Sequence, residues 1–529
     1  MNNIDNQLDN VTKNLILSME KEIESKDKEI DTLKKELEFL KGQLINKNKK
    51  LFGQSSEQLD SNQMSLFNEA EKESDLKQAE PTIEEIVYTR NKPSKNIGKK
   101  DNLSNLEIVI IDHKLSQEES ICNECNSSLV EIGKKEKDIL KYVPAKLYIE
   151  RHVTYSYACK SCEENTGEAN IISTKAPSTL LHKSMASNDI LAHSICLKYL
   201  YALPLYRQEK YFKMLDVNLS RQTLSNWMLS AANEFSVVYD LMKNKLLKSN
   251  YIQADETTLK VIDDKGRESK SKKYMWMYKT GGNNESIILY DYQLTRSSSC
   301  PKTFLGDYSG YLQTDGYTGY NKVKNAKRIY CLAHIRRKYY DIVSNLDEEA
   351  LKKSRAIIGF NYVEKIYTIE KELREAYGEK DDFFEIRYKE RLKRTAPLLN
   401  EFEQYVKIEI ENALPKSPLG QALNYTQKLL PKMKTILQDG SLEVDNNAAE
   451  RAIKPFVIGR KNWLFANTGR GAKSSATIYS IIETARSHGL SVEKYLVYLI
   501  DVLSNETTSI KDAMPWSKSL PEDLKIQAK

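Results

Sequence analysis

A chain of 529 residues is too long for one hydrophobic core and implies roughly three to five structural units of about 100 to 200 residues each. Its 40% hydrophobic and 29% charged residues suit water-soluble domains, and no apolar run approaches the roughly 20 residues of a bilayer span, which excludes membrane insertion. The net charge of +6 is small for this length, so the placing of Lys and Arg on particular faces says more than their sum. The opening MNNIDNQLDNVTKN lacks the basic start, apolar middle and cleavage site of a signal peptide. The expected location is the cytoplasm, on the nucleoid.

From Ile16 to Leu51 apolar residues recur at alternating spacings of three and four: Ile16, Met19, Ile23, Ile30, Leu33, Leu37, Leu40, Leu44 and Leu51. Lys26 and Lys47 interrupt this seam at inner positions, which costs stability but can fix register or partner number. Residues 1–60 are therefore expected to form a coiled-coil region that makes a homo-oligomer, although a single amphipathic helix packed on its own domain would show the same spacing. Residues 61–101 are polar, with Pro81 and Pro93 and little periodicity, and read as a flexible linker.

Residues 102–175 carry Cys122 and Cys125 in ICNEC, then Cys159 and Cys162 in ACKSC. Two C-x2-C knuckles suit one tetrahedral structural Zn²⁺, which would staple a segment too small for a good core. A redox role would have each pair open a helix of a βαβ unit, and neither does. Cys196, Cys300 and Cys331 lie singly and read as small apolar residues.

Residues 176–248 form a helical region containing LPLYRQEKYFKMLDVNLSRQTLSNWM. Leu203 to Leu215 reads as one helix, Asp216 to Leu219 as a turn, and Ser220 as the cap of a second helix stapled by Leu219 and Leu224. Arg221, Gln222, Ser225 and Asn226 would then face outward, as in the recognition helix of a DNA-binding helix-turn-helix. An ordinary helical hairpin has the same local pattern.

After Asn250 the periodicity turns to β. NYIQADETTLKVID, KKYMWMYKT and ESIILYDYQLT predict three consecutive antiparallel strands, with Asp255 inside the first. A helix near Pro301 to Leu305, a short strand GYLQTD ending in Asp315, and a strand AKRIYCL leading into the helix HIRRKYYDIV follow. That succession has a ribonuclease-H-like order, in which the first and fourth strands are neighbours and Asp255 and Asp315 lie side by side. The expected fold is multidomain α/β: a catalytic domain over 249–344, a helical insertion over 345–440, the rest of the catalytic domain over 441–505, and a tail over 506–529. In the returning segment Asp445 or a neighbouring Asn can cap a helix carrying Glu450 beside Arg451, Lys454, Arg460 and Lys461. Carboxylates amid cations suit a site where two Mg²⁺ (or Mn²⁺) ions meet a phosphate backbone. An isolated Asp is more often a cap or a surface charge; three on one expected fold carry more weight.

These residues have a known likeness. LFGQSSEQLD at 51–60, LKYVPAKLYIERHVTYSYACKSC, LYRQEKYF, QADETTLKV, LQTDGYTGYN, CLAHIRRKYYD, DNNAAERAIKPFVIGRKNWLFA and the terminal MPWS follow in the block order of a family that the chain resembles over nearly its whole length. It is the IS66 family of bacterial insertion-sequence transposases. The resemblance implies a DDE-type transposase whose triad falls on Asp255, Asp315 and Glu450, whose partner is DNA (element ends and target), and beside which small accessory proteins are encoded. Thr258 stands where the family usually has proline and Leu332 where it usually has tryptophan, neither of them at a carboxylate. Cys331 and His334 make a C-x2-H pair that recurs in the family; His334 would be either structural or close to the scissile phosphate. A catalytically inactive DNA-binding descendant, or a nuclease of the same fold, are the other readings to be weighed.

Overall fold

The computed structural model describes residues 15–27, 109–111, 127, 145–159, 170–182, 184–263, 272–505 and 508–526. Residues 1–53 with 149–526 group as one unit and 54–148 with 527–529 as another. Residues 15–27 are helical, with Ile16, Met19 and Ile23 exposed. The remainder of the predicted seam, through Leu51, lies outside the described residues, as do the predicted linker and Cys122, Cys125 and Cys162. Cys159 ends β1 (Ser156–Cys159), which pairs antiparallel with β2 (Asn170–Ser173).

Four helices come next: α1 (Asn188–Tyr199), α2 (Leu205–Met214), α3 (Arg221–Glu234) and α4 (Ser236–Leu247). Pro204 fixes the start of α2, two residues later than the sequence suggests, because proline cannot donate to the preceding turn. Asp216 takes φ of 61° in the turn to α3, a conformation that Asp tolerates better than most residues. The Ser220 hydroxyl accepts the Thr223 N–H at 3.1 Å, and Leu219 and Leu224 are both buried, so the expected cap and staple are present.

The sheet is built on β3 (Tyr251–Leu259), whose first four residues are buried. β5 (Lys273–Thr280), the run KYMWMYKT, is covered on both faces, and β6 (Ile288–Gln293) follows it. β7 (Tyr311–Thr314) and β8 (Lys327–Tyr330) complete the order β6-β5-β3-β7-β8. β3, β5 and β6 pair antiparallel, whereas β7 runs parallel to both β3 and β8. A parallel partner requires a crossover, supplied by the segment containing α5 (Ser299–Leu305). The first predicted strand, 250–263, is in fact two. β4 (Val261–Asp263) leaves the main sheet after Lys260 to pair with β9 (Ala466–Thr468), whose Ala466 N–H donates to the Lys260 carbonyl at 3.0 Å.

From β8 the chain enters α6 (Leu332–Val343), then α7 (Glu348–Lys353), α8 (Ala356–Tyr377), α9 (Phe383–Glu390), α10 (Ala396–Asn412) and α11 (Pro418–Met433). Val363, Ile366, Leu399, Phe402 and Leu423 share one core with Tyr251 and Ile329 of the sheet and with Leu332 and Tyr339 of α6. The inserted helices thus build directly onto the β8 side. Arg387 and Arg391 are fully buried among them and share the Glu370 carboxylate, which accepts from Arg391 Nε at 2.7 Å and Nη2 at 2.8 Å and lies 3.8 Å from Arg387.

The chain returns through α12 (Asn447–Trp463), β9, α13 (Gly469–Ser487) and α14 (Val492–Asn505). α13 lies along the outer strand β6. The Ile288 N–H donates to Thr484 Oγ1 at 3.0 Å, the Tyr290 N–H to Ser480 Oγ at 2.8 Å, and Thr484 Oγ1 donates back to the Ile288 carbonyl at 3.1 Å. Among the described residues no helix is long and apolar enough to cross a membrane.

Candidate active site

Side chains of β3 alternate between faces, so Tyr251, Gln253 and Asp255 share one side. The parallel register pairs Gln253 with Gln313 of β7, and two residues further along both strands it sets Asp255 level with Asp315, just past the end of β7. Gly316 follows; a Cβ there would come within 2.8 Å of the Tyr425 hydroxyl of α11, so a glycine lets the inserted helices close against this loop. The Asp315 carboxylate accepts the Tyr317 N–H at 2.9 Å, which turns the loop back on itself.

A strap of residues before α12 brings in the third acid. Gln313 donates to the Glu443 carbonyl at 2.7 Å and accepts from Gln253 Nε2 at 2.8 Å; the Glu443 N–H donates to the Tyr251 hydroxyl at 3.2 Å. The Leu332 N–H donates to the Val444 carbonyl at 2.9 Å, and Asn446 Nδ2 donates to the Ala254 carbonyl at 2.9 Å, one residue from Asp255. Asn446 is held to β3 through Nδ2 and its Oδ1 accepts nothing among the described residues, so it does not cap α12; Asp445 accepts the Asn447 N–H at 3.0 Å instead. Glu450 then falls in the first turn of α12, where the unpaired N–H groups favour an anion.

Burial, then Glu256, and then Glu450 and Asp315 push the Asp255 carboxyl well above the usual carboxylate range. Asp315 and Glu450 thus each lie within electrostatic reach of Asp255. Glu256 is also raised, by burial and by Asp315, against the pull of Tyr320 and Arg296. Its carboxylate accepts from Arg296 Nε at 2.7 Å and from the Tyr320 hydroxyl at 2.5 Å. Arg296 stacks 3.9 Å from the Tyr317 ring centre and reaches to 3.9 Å from Asp315 Oδ2. This clamp escaped the sequence reading, because no spacing links Arg296 to Glu256. His334 lies on α6 beside the same acids; burial lowers its basicity, while Glu450 and Asp315 oppose that.

The raised Asp255 has a measurable consequence. Its folded value exceeds its unfolded one, so its contribution favours the fold below the ordinary carboxylate range and is lost as pH rises through the elevated value. Asp255→Asn is expected to stabilise the protein in the absence of added metal by about 1 to 3 kcal/mol at neutral pH and to lose that advantage in acid. Thermal melts at the two pH values check this. An equal difference at both would show that the carboxylate is not strained.

Comparison with known proteins adds a decisive match: the family model described as "Transposase IS66 family" fits residues 183–474, more than half of the chain. The chain belongs to the IS66 transposase family. Models described as "zinc-finger binding domain of transposase IS66" and "Transposase C of IS166 homeodomain" fit residues 119–163 and 40–111. Similar proteins include the uncharacterized protein y4jD of Sinorhizobium fredii, 27% identical over 82% of this chain and 84% of its own length. The uncharacterized protein y4qI of the same organism is 27% identical over 73% of this chain and 71% of its own.

All four zinc-module cysteines of this IS66 transposase fall inside the matched zinc-finger segment. Arg221, Gln222 and Asn226 are exposed at the start of α3 and Ser225 is half-buried, while Leu224 and Trp227 are buried. Arg451 is exposed and Lys454 and Lys461 half-buried along α12. Arg460 has an intramolecular duty: its guanidinium donates to Thr257 Oγ1 at 3.2 Å, to Thr258 Oγ1 at 3.1 Å and to the Thr258 carbonyl. It ties α12 to the end of β3.

Proposed function

We propose that the protein is a DNA transposase that binds the ends of its own insertion sequence, cuts there, and joins the freed 3′ end to target DNA. The observation that carries this reading is the convergence of β3, the end of β7 and the first turn of α12 on Asp255, Asp315 and Glu450. The neighbouring, parallel first and fourth strands support a ribonuclease-H-like catalytic core. Repulsion among carboxylates held beside one another is what divalent cations relieve, and hard oxygen donors suit Mg²⁺ or Mn²⁺. Asp255, Asp315 and Glu450 would hold two such ions, which supply Lewis-acid activation of the attacking oxygen and stabilise the leaving one.

The chain's own residues set that stage. Asn446 fixes the start of α12 to the strand of Asp255, and Tyr317 orients the Asp315 carboxylate. Glu256 is occupied by Arg296 and Tyr320 and is thereby kept out of the ligand set. Arg451 and Lys454 on α12 would meet the DNA backbone, and the exposed start of α3 would meet the element's ends. The zinc-finger segment would hold one structural Zn²⁺ through Cys122, Cys125, Cys159 and Cys162, and residues 1–60 would pair two copies.

The test is purified protein with duplexes carrying the element's ends, a target plasmid and Mg²⁺. Both cut and joined products are expected, with Asp315→Asn losing both while still binding DNA. Products cut but never joined would make the protein a nuclease of this fold. Binding with no cutting by the wild type would make it a non-catalytic DNA-binding descendant.

Arg221→Ala is expected to weaken binding to the element's ends. A base contact would cost about 1 to 3 kcal/mol of discrimination at one position, whereas a phosphate contact would weaken all sequences alike. Titrations against specific and random duplexes separate the two, and unchanged affinity for both would make α2 and α3 a plain hairpin.

A further inference from the structure

Next to the carboxylates lies a second group of donors with different chemistry. Cys331 caps the N-terminus of α6 and His334 is the third residue of that helix, so both sit at one end of it. Glu450 reaches the same point from α12, and one ligand atom from each of the three lies within 4.8 Å of the other two. Donors around a tetrahedral Zn²⁺ stand about 3.3 to 3.6 Å apart, given Zn–S near 2.3 Å and Zn–N or Zn–O near 2.0 to 2.1 Å.

Two further observations point to a ligand. His334 Nδ1 is buried and has no hydrogen-bond partner among the described residues. The Asn446 N–H donates to Cys331 Sγ at 3.1 Å, the kind of outer contact that steadies a metal-bound thiolate. We propose that Cys331, His334 and Glu450 form a site for one thiophilic divalent cation, Zn²⁺ foremost, with a fourth position open to water. A thiolate and an imidazole select such ions over Mg²⁺, which prefers oxygen alone.

Glu450 is shared. On the functional reading above, an ion seated on Cys331 and His334 draws Glu450 away from Asp255 and Asp315. Zn²⁺ then acts as an antagonist of the Mg²⁺-dependent reaction at a point separate from the zinc-finger segment.

Cobalt is the probe, because a cysteine thiolate bound to Co²⁺ gives a charge-transfer absorption band that oxygen and nitrogen ligands do not. Full-length protein carrying a single equivalent of Zn²⁺, which the four cysteines of the zinc-finger segment take ahead of a site with one thiolate, is titrated with Co²⁺; zinc binds more tightly than cobalt, so that segment keeps its own ion. A thiolate–cobalt band is expected in the wild type and absent in Cys331→Ser. His334→Ala and Glu450→Gln should weaken Co²⁺ binding by more than about tenfold. No band in the wild type, or an undiminished band in Cys331→Ser, overturns the site, and the wild-type result does not depend on how any variant folds. The readout needs neither DNA nor cleavage. A missing band with Glu450→Gln dead in cleavage removes this site alone; a band present while Glu450→Gln still cleaves removes the functional reading alone.

Discussion

Glu450→Gln is expected to lower DNA cleavage by on the order of 10⁴-fold or more while leaving affinity for the element's ends largely intact. The amide keeps the size and hydrogen-bonding capacity of the side chain but loses the charge that would hold a divalent ion. Glu443, on the strap that leads to α12, is the control. Its carboxylate is engaged by Arg374 and lies 3.3 Å from Arg387, so it is occupied in holding the inserted helices. Glu443→Gln should still cleave and should melt earlier. Cleavage assays on both variants decide: if Glu443→Gln is inactive and Glu450→Gln active, the third acid has been assigned to the wrong residue, and if both are active the three-carboxylate mechanism fails.

The largest effect on stability is expected from Glu370→Ala. Glu370 is buried beside two buried guanidiniums, so removing it leaves Arg391 in the interior without its acid and Arg387 with Glu443 alone. Breaking a buried pair from one side costs about 3 to 5 kcal/mol. Glu372, two residues along α8, pairs with Arg394 at 2.5 Å in the open, and Glu372→Ala should cost less than about 1 kcal/mol because water screens that pair. Urea midpoints for the two variants check the contrast, and equal shifts would mean that the interior cluster is solvated. Arg387 also donates to the carbonyls of Gly440 and Leu442, so loss of the cluster should loosen the strap and reduce cleavage by more than the melting shift alone explains.

Much of this organisation was legible in the residues. The β-prone runs around Asp255, Trp276 and Tyr290 became β3, β5 and β6, since alternation and turn residues report local preference faithfully. Leu219, Ser220 and Leu224 announced the start of α3 because caps and staples are short-range devices. The three acids were named from motif and fold order; the parallel register of β3 and β7 sets Asp315 level with Asp255, and Glu450 acts electrostatically on Asp255. What stayed hidden is long-range. Nothing near Glu256 in sequence foretells Arg296, and nothing in α9 foretells that Arg387 would bind the carbonyls ahead of α12. The Cys331 and His334 pair was visible as a spacing, but Glu450 joins it only through the fold. The break at Lys260 was missed for a related reason: β4 is extended as expected, yet its partner is β9, far along the chain.

The way α13 meets β6 decides what kind of association this sheet can support. An outermost strand usually offers a row of unanswered N–H and C=O groups, and any extended peptide can dock there and lengthen the sheet. Here Thr484 and Ser480 already answer Ile288 and Tyr290, so a visiting strand would have to evict a helix before gaining its first bond. Two copies of the protein meeting on this flank are thus shielded from sticking through their backbones. Any contact made there is read from side chains, which can be specific, and not from main chain, which every protein shares.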